Sequence, residues 1–275
     1  MFIAFTRDMH TAETHAADTA PSTSRSALRE LFNRVSESCD LPPLPAVAVR
    51  AIALARDPNV GSDQLVRVVS IARSVRYMRR EPPRSLDSAI QTVGFQALRR
   101  ILIAASARAA YRADDAVAQT LWEHALATAL AADELARVAG EPRGGNSFIA
   151  GLMHDIGKLV LHLSDSRNFA ALDHEDEERE AEIFGVTHDQ VGACLAEHWG
   201  LEDDVVWAIL SHHRAPAQAK LAQRIELADK IACRIGYGCT RDAATVEAPV
   251  DPSIPLDEIA SNVTSSFETE KTLFS

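Results

Sequence analysis

Asn146-Ser147-Phe148-Ile149-Ala150-Gly151-Leu152-Met153-His154-Asp155-Ile156-Gly157-Lys158-Leu159-Val160-Leu161 reads as a core helix with a polar stripe set into it. Gly151, His154, Asp155 and Lys158 recur at i, i+3, i+4 and i+7, while Ile149, Met153, Ile156 and Val160 supply apolar faces around them. Ionisable groups rarely sit among core residues without a partner, because water solvates a lone charge far better than a core does. Imidazole and carboxylate on one face suit a divalent metal. A glycine one turn earlier admits another backbone or a ligand, and a lysine one turn later suits an anion. A salt-bridged amphipathic helix would carry the same stripe, so the choice falls to the rest of the chain.

Four further segments bear on it. His124 lies in Leu121-Trp122-Glu123-His124-Ala125-Leu126-Ala127-Thr128-Ala129-Leu130, a helix of alanine and leucine in which a lone histidine is ordinarily a satisfied core residue. Gly185-Val186-Thr187-His188-Asp189-Gln190-Val191-Gly192 predicts a helix start with a Thr-x-x-Gln capping box and His188 in the first turn. A helix from near Glu202 carries Val205, Val206, Ile209 and Leu210, and His212 and His213 prolong its apolar stripe. Leu221, Ile225 and Asp229 are spaced four apart, which turns the Asp229 carboxylate toward apolar neighbours, where it needs a cation.

The order His, His-Asp, His, His-His, Asp, each on a separate predicted helix or helix end, resembles the HD superfamily of metal-dependent phosphohydrolases. "GLMHDIGKLVL", "GVTHDQVGACLAEHWGLEDDVVWAILSHH", "LADKIA" and "LPPLPAVAVRAIALARDP" together resemble its HD-related output domain, HDOD, from about Leu41 to about Ile235. The resemblance implies an all-α HD-superfamily helical bundle with an N-terminal helical lobe. It places first-metal ligands at His124, His154, Asp155 and Asp229, second-metal histidines at His188, His212 and His213, and a phosphate-contacting lysine at Lys158. If such a pocket is active, Asp155 and Lys158 are its catalytic pair, and one or two ions of Mn, Fe or Zn are its cofactors. HDOD domains resemble the HD-GYP cyclic di-GMP phosphodiesterases but are generally regarded as regulatory output modules. Two departures count against turnover: Thr120 stands where HD-GYP enzymes carry an acidic ligand, and Arg214-Ala215-Pro216 follows His213 in place of the GYP signature. The expected role is therefore a bacterial-type signal-transduction output module acting through protein or nucleotide contacts. The alternative is a metal-dependent phosphohydrolase or phosphodiesterase on a nucleotide or cyclic dinucleotide.

Relative to the family pattern the chain is short by roughly a turn and a helix after Ser70. Its 275 residues, nearly half apolar, suffice for one substantial core in two lobes. Abundant alanine, few aromatics and no run of alternating β-branched residues predict helix throughout. The expected organisation is a disordered tail over 1–26, an HDOD domain over 27–238 (lobes 27–112 and 113–238) and a mobile tail over 239–275. Cys39, Cys194, Cys233 and Cys239 form no Cys-x-x-Cys pair, so a zinc ribbon or redox site is not expected. A net charge of −11 argues against general nucleic-acid binding. Arg73, Arg76, Arg79, Arg80 and Arg84 around Tyr77 form a local basic cluster, a solvated face or a partner or anion patch, with Arg99 and Arg100 nearby. The acidic run Asp173 to Glu180 reads as a solubilising helix start, and His10, His15, His162 and His174 have no place in the pattern. No segment is long and apolar enough for a membrane span or a signal peptide, so a cytoplasmic protein is expected, taking its input from a separate signalling protein or a small molecule.

Overall fold

Asp115 starts the helix on which the fold is built: its carboxylate accepts from the amides of Val117 at 2.9 Å and Ala118 at 3.1 Å. The computed structural model describes Asn33, Ala107, Arg108, Tyr111, 115–141, 145–172, 176–238 and 253–274. Nearly all of the expected 27–112 lobe, including the arginine cluster Arg73, Arg76, Arg79, Arg80 and Arg84 and the shortened stretch after Ser70, lies outside these residues. Among the described residues every regular element is a helix, as the composition and pattern predict.

Helix α1 (Ala116–Val138) is buried over most of its length, and its alanines are the reason. Ala125, Ala127, Ala129, Ala131 and Ala132 are fully buried, so neighbouring backbones approach closely on several sides. It packs against α2 (Asn146–Met153), α8 (Lys220–Ala232) and α9 (Leu256–Phe274). A Cβ added at Gly151 of α2 would lie 2.8 Å from Ala129 Cα, so this is the close backbone approach expected of that glycine. The remaining elements are α3 (Ile156–Ser164), the single turn α4 (Ser166–Phe169), α5 (Glu177–Phe184), α6 (His188–His198) and α7 (Asp203–Ser211). Phe148, Leu126, Leu152, Leu195, Ile209 and Ile225 are fully buried where these helices meet, each contributing roughly 1.5–3 kcal/mol of transfer free energy.

The C-terminal stretch corrects an expectation. Part of the segment predicted as a mobile tail forms α9, in which Ile259, Val263 and Phe267 recur every four residues and are fully buried. That apolar stripe lies against α1 and outweighs the Ser, Thr and Asp content that suggested a tail. After α8 the chain makes a π-type turn over Cys233–Tyr237, with Gly236 at φ 95, and the Tyr237 ring stacks on Phe267 at 3.9 Å between centroids.

Candidate metal centre

The opening stretch is two helices rather than one. α2 ends at Met153 and α3 begins at Ile156, with Asp155 at φ −103, ψ 12, outside the helical region. The predicted i to i+7 stripe is therefore bent at its centre, and the bend turns His154 and Asp155 into one interior space. Lys158 follows within the first turn of α3, and its Nζ donates to Asp155 Oδ2 at 2.8 Å. Gly157 allows the bend to dock: a Cβ there would lie 1.9 Å from the carbonyl oxygen of His188 at the start of α6.

All seven residues anticipated as ligands converge, in two sets. In the first, His124 Nε2 lies 3.1 Å from both His154 Nε2 and Asp229 Oδ1, joining α1, the bend and α8. In the second, His188 Nε2 lies 2.8 Å from His213 Nε2, and His188 and His212 approach Asp155 Oδ1 to 3.4 and 3.6 Å. Asp155 stands between the sets. Its Oδ2 is 3.4 Å from His124 and 3.5 Å from His154, while Oδ1 faces His188 and His212.

Each of four rings is turned the same way by its other nitrogen. His124 Nδ1 contacts the Tyr237 carbonyl at 2.7 Å, His154 Nδ1 the Gly151 carbonyl at 2.8 Å and His212 Nδ1 the Ile209 carbonyl at 2.6 Å. A carbonyl oxygen only accepts, so Nδ1 carries the proton, and a neutral ring is left with its Nε2 lone pair facing the cluster. His188 Nδ1 does the same toward the carboxylate of Glu180, at 2.7 and 2.9 Å. Lone pairs facing one another at these distances repel unless a cation lies among them. Fixing the ring through its second nitrogen is how metal-binding histidines are commonly held.

The electrostatics match. Burial lowers His154 and His188 to about 3, against a weaker opposing pull from Asp155, and burial lowers His213 as well. These rings are neutral at neutral pH. Burial raises Asp155, but His154 and Lys158 outweigh it and hold the carboxyl well below its usual range. At Asp229 burial is likewise overcome by the bond and charge of His124. Burial also works against the His212 cation, yet Asp155 leaves that ring raised. Neutral imidazoles beside ionised carboxylates are the protonation state a divalent ion requires. Asp155 Oδ1 and His212 Nε2 are buried without a hydrogen-bond partner, and the nitrogen and oxygen donors suit Mn²⁺, Fe²⁺ or Zn²⁺.

Some expectations change. Thr187 is the N-cap of α6 but makes no capping bond; its hydroxyl pairs with the Asp189 carboxylate, and the Thr-x-x-Gln box does not form. Glu180 does that work, accepting the His188 amide at 2.8 Å as well as Nδ1. Sequence reasoning assigned Glu180 to a solubilising run, yet it is 1% exposed. The available clue was its spacing, three and four residues before Ile183 and Phe184. Lys158 is buried against Asp155 instead of standing open to an anion. Thr120 is exposed, bonds to the Ala116 carbonyl and adds no donor. His162, given no role from sequence, is buried with Nε2 2.6 Å from Asp115 Oδ2, tying α3 to the start of α1. Cys194 is buried and Cys233 half-buried, with Cys233 Sγ 3.7 Å from Asp229 Oδ1.

Residues 41–215 match the family model of the HDOD domain. Among solved structures, one of a candidate signal-transduction protein from Marinobacter aquaeolei VT8 superposes with a TM-score of 0.70 at 21% identity, over 94% of this chain and 68% of that one. A candidate phosphohydrolase of Shewanella amazonensis SB2B gives 0.66 at 21% identity, over 89% of this chain and 98% of that one. An HDOD domain protein with unknown function from Geobacter sulfurreducens gives 0.60 at 22%, over 91% and 97%. An uncharacterised protein of Treponema pallidum (strain Nichols) is 24% identical over 64% of this chain, which spans only 38% of that relative's length.

Proposed function

The chain belongs to the HDOD family, and we propose that it is a signalling output module of the bacterial type, built around a pocket that holds one or two divalent ions. The carrying observation is the common orientation of His124, His154, His188 and His212, whose Nδ1 atoms face acceptors and whose Nε2 atoms face the cluster. His124, His154 and Asp229 would hold one ion, His188, His212 and His213 the other, and Asp155 would serve both. Such ions acidify a bound water and neutralise phosphate charge.

Two features favour signalling over turnover. Lys158 is committed to Asp155, so holding a phosphate would break a buried ion pair. Six of the eight side chains, His124, His154, Asp155, Lys158, His188 and His212, are buried, which suits a site that is filled and kept. The partner would be another signalling protein, and the basic sequence cluster Arg73 to Arg84 would suit an acidic partner or a nucleotide. A specific observation keeps the phosphohydrolase reading alive: Asp229 is 25% exposed and His213 half-buried, giving each set an edge toward solvent. There Asp155 would orient the attacking water, with Lys158 released onto the phosphate of a nucleotide or cyclic dinucleotide.

Metal content per chain, measured by mass spectrometry on protein without an affinity histidine tag, tests the pocket. About two equivalents should be present in the wild type and be lost together in Asp155→Ala, since one carboxylate faces both sets. Absence of metal even after anaerobic incubation with Mn²⁺ or Fe²⁺ would overturn the reading. Nucleotide turnover abolished by the same substitution would put the hydrolase in its place.

A further inference from the structure

Helix α5 is attached to the molecule in an unusual way. Glu180 is its only buried residue, and Ile183 and Phe184 are half-buried against the core, while Glu178, Arg179, Ala181 and Glu182 face solvent. Its polar attachments land on the second metal set or directly beside it. Glu180 takes both the amide and Nδ1 of His188, and Glu177 pairs with Arg214, the residue after His213. Gly185, at φ 75, ends the helix and leads through Val186 and Thr187 into His188. By contrast, the first-set rings His124 and His154, like His212, bond through Nδ1 to backbone carbonyls.

We propose that α5 reports the state of the second metal set, with Glu180 as the positioning residue that couples them. This rests on the metal-pocket reading and adds the route by which loading reaches the surface. A cation at His188 Nε2 draws electron density from the ring and strengthens Nδ1–H as a donor, so the bond to Glu180 tightens and α5 is held. The Glu180 charge in turn makes the ring a better ligand, and thermodynamic linkage requires the two effects to be equal. Loading fixes α5, and its loss loosens a helix whose outer face carries Glu178, Arg179 and Glu182.

Hydrogen exchange of the full chain, in EDTA and after addition of Mn²⁺, Fe²⁺ (anaerobically) or Zn²⁺, provides the test, with bound metal counted in the same samples. Exchange over 177–184 should slow on loading by about tenfold or more, while amides in the middle of α1 change little. Glu180→Ala should keep the first ion, lose the second and abolish the response of α5. Glu180→Gln, which retains an acceptor for Nδ1–H without the charge, should weaken the second ion by about 10–100-fold and restore part of the response. Metal bound by the wild type with α5 exchange unchanged overturns the coupling and leaves the metal pocket standing. No metal bound overturns both. Two ions retained by Glu180→Ala overturn the positioning role, and the wild-type comparison decides the coupling even if that variant does not fold.

Discussion

The two donor sets share Asp155 but are supported differently. In the first, His124 and His154 are oriented by the carbonyls of Tyr237 and Gly151, groups fixed by the backbone. In the second, His212 is likewise oriented by the Ile209 carbonyl, but His188 is oriented by the carboxylate of Glu180, a side chain on the outlying helix α5, and His213 is only half-buried. A ring held by backbone moves only when its helix moves, whereas one held by a side chain follows a rotamer and the helix that carries it. The second set thus contains one ring, His188, whose aim depends on a side chain, while both rings of the first depend on backbone.

The largest break between them should come from Gly157→Ala. The added Cβ would sit 1.9 Å from the His188 carbonyl oxygen, where neither backbone can give way, so α3 and α6 must separate. Chemical denaturation should show a loss upward of about 3 kcal/mol, and the second ion should go while the first stays. Phe267→Ala attacks the other set from a distance. It removes the ring under Tyr237, whose carbonyl holds His124, and should cost about 3 kcal/mol and weaken the first ion roughly tenfold, read by metal titration, with the second unchanged. Equal weakening of both ions by either variant would erase the distinction.

Acid should treat the sets alike, and the sign follows from the shifts. His154 and His188 stay neutral in the fold down to about 3 but protonate near 6.5 when unfolded, so the unfolded state binds more protons in between. Their cost to stability is absent above pH 6.5 and grows as pH falls toward 3, by up to about 1.4 kcal/mol per pH unit for each ring. His212, whose value is raised, works the other way: it adds stability below its unfolded value that is lost as pH rises through its folded one. His213, also lowered by burial, adds to the loss, so urea unfolding in EDTA should show a net loss of roughly 3–5 kcal/mol between pH 7 and pH 5. A flat profile would mean that these rings are not buried neutral.

The residues that converge in the cluster were legible in the sequence because each breaks its local rule. A histidine among alanines, a His-Asp pair in an apolar run and an aspartate on an apolar stripe are costly unless they share a partner. The helical class was legible for a similar reason, since alanine content and spacing leave little alternative. What escaped depends on geometry that spacing does not carry. The bend at Asp155 keeps helical spacing on both sides while departing from helical dihedrals at one residue. Glu180 is hidden by its neighbours, because seven polar residues precede it and burial selects only the one that faces His188. Thr187 and Gln190 have the letters of a capping box, but a carboxylate from another helix reaches the His188 amide instead. The stripe Ile259, Val263, Phe267 was readable, and composition outweighed it wrongly.

The position of Tyr237 has a practical consequence for anyone cutting this gene. The segment that matches the family ends at residue 215, yet Asp229, the carbonyl that aims His124 and the helix supporting that carbonyl all come later in the chain. A fragment trimmed to the matched borders would keep every histidine of the centre and still be unable to assemble its first half. A negative result from such a fragment would report the scissors, not the protein.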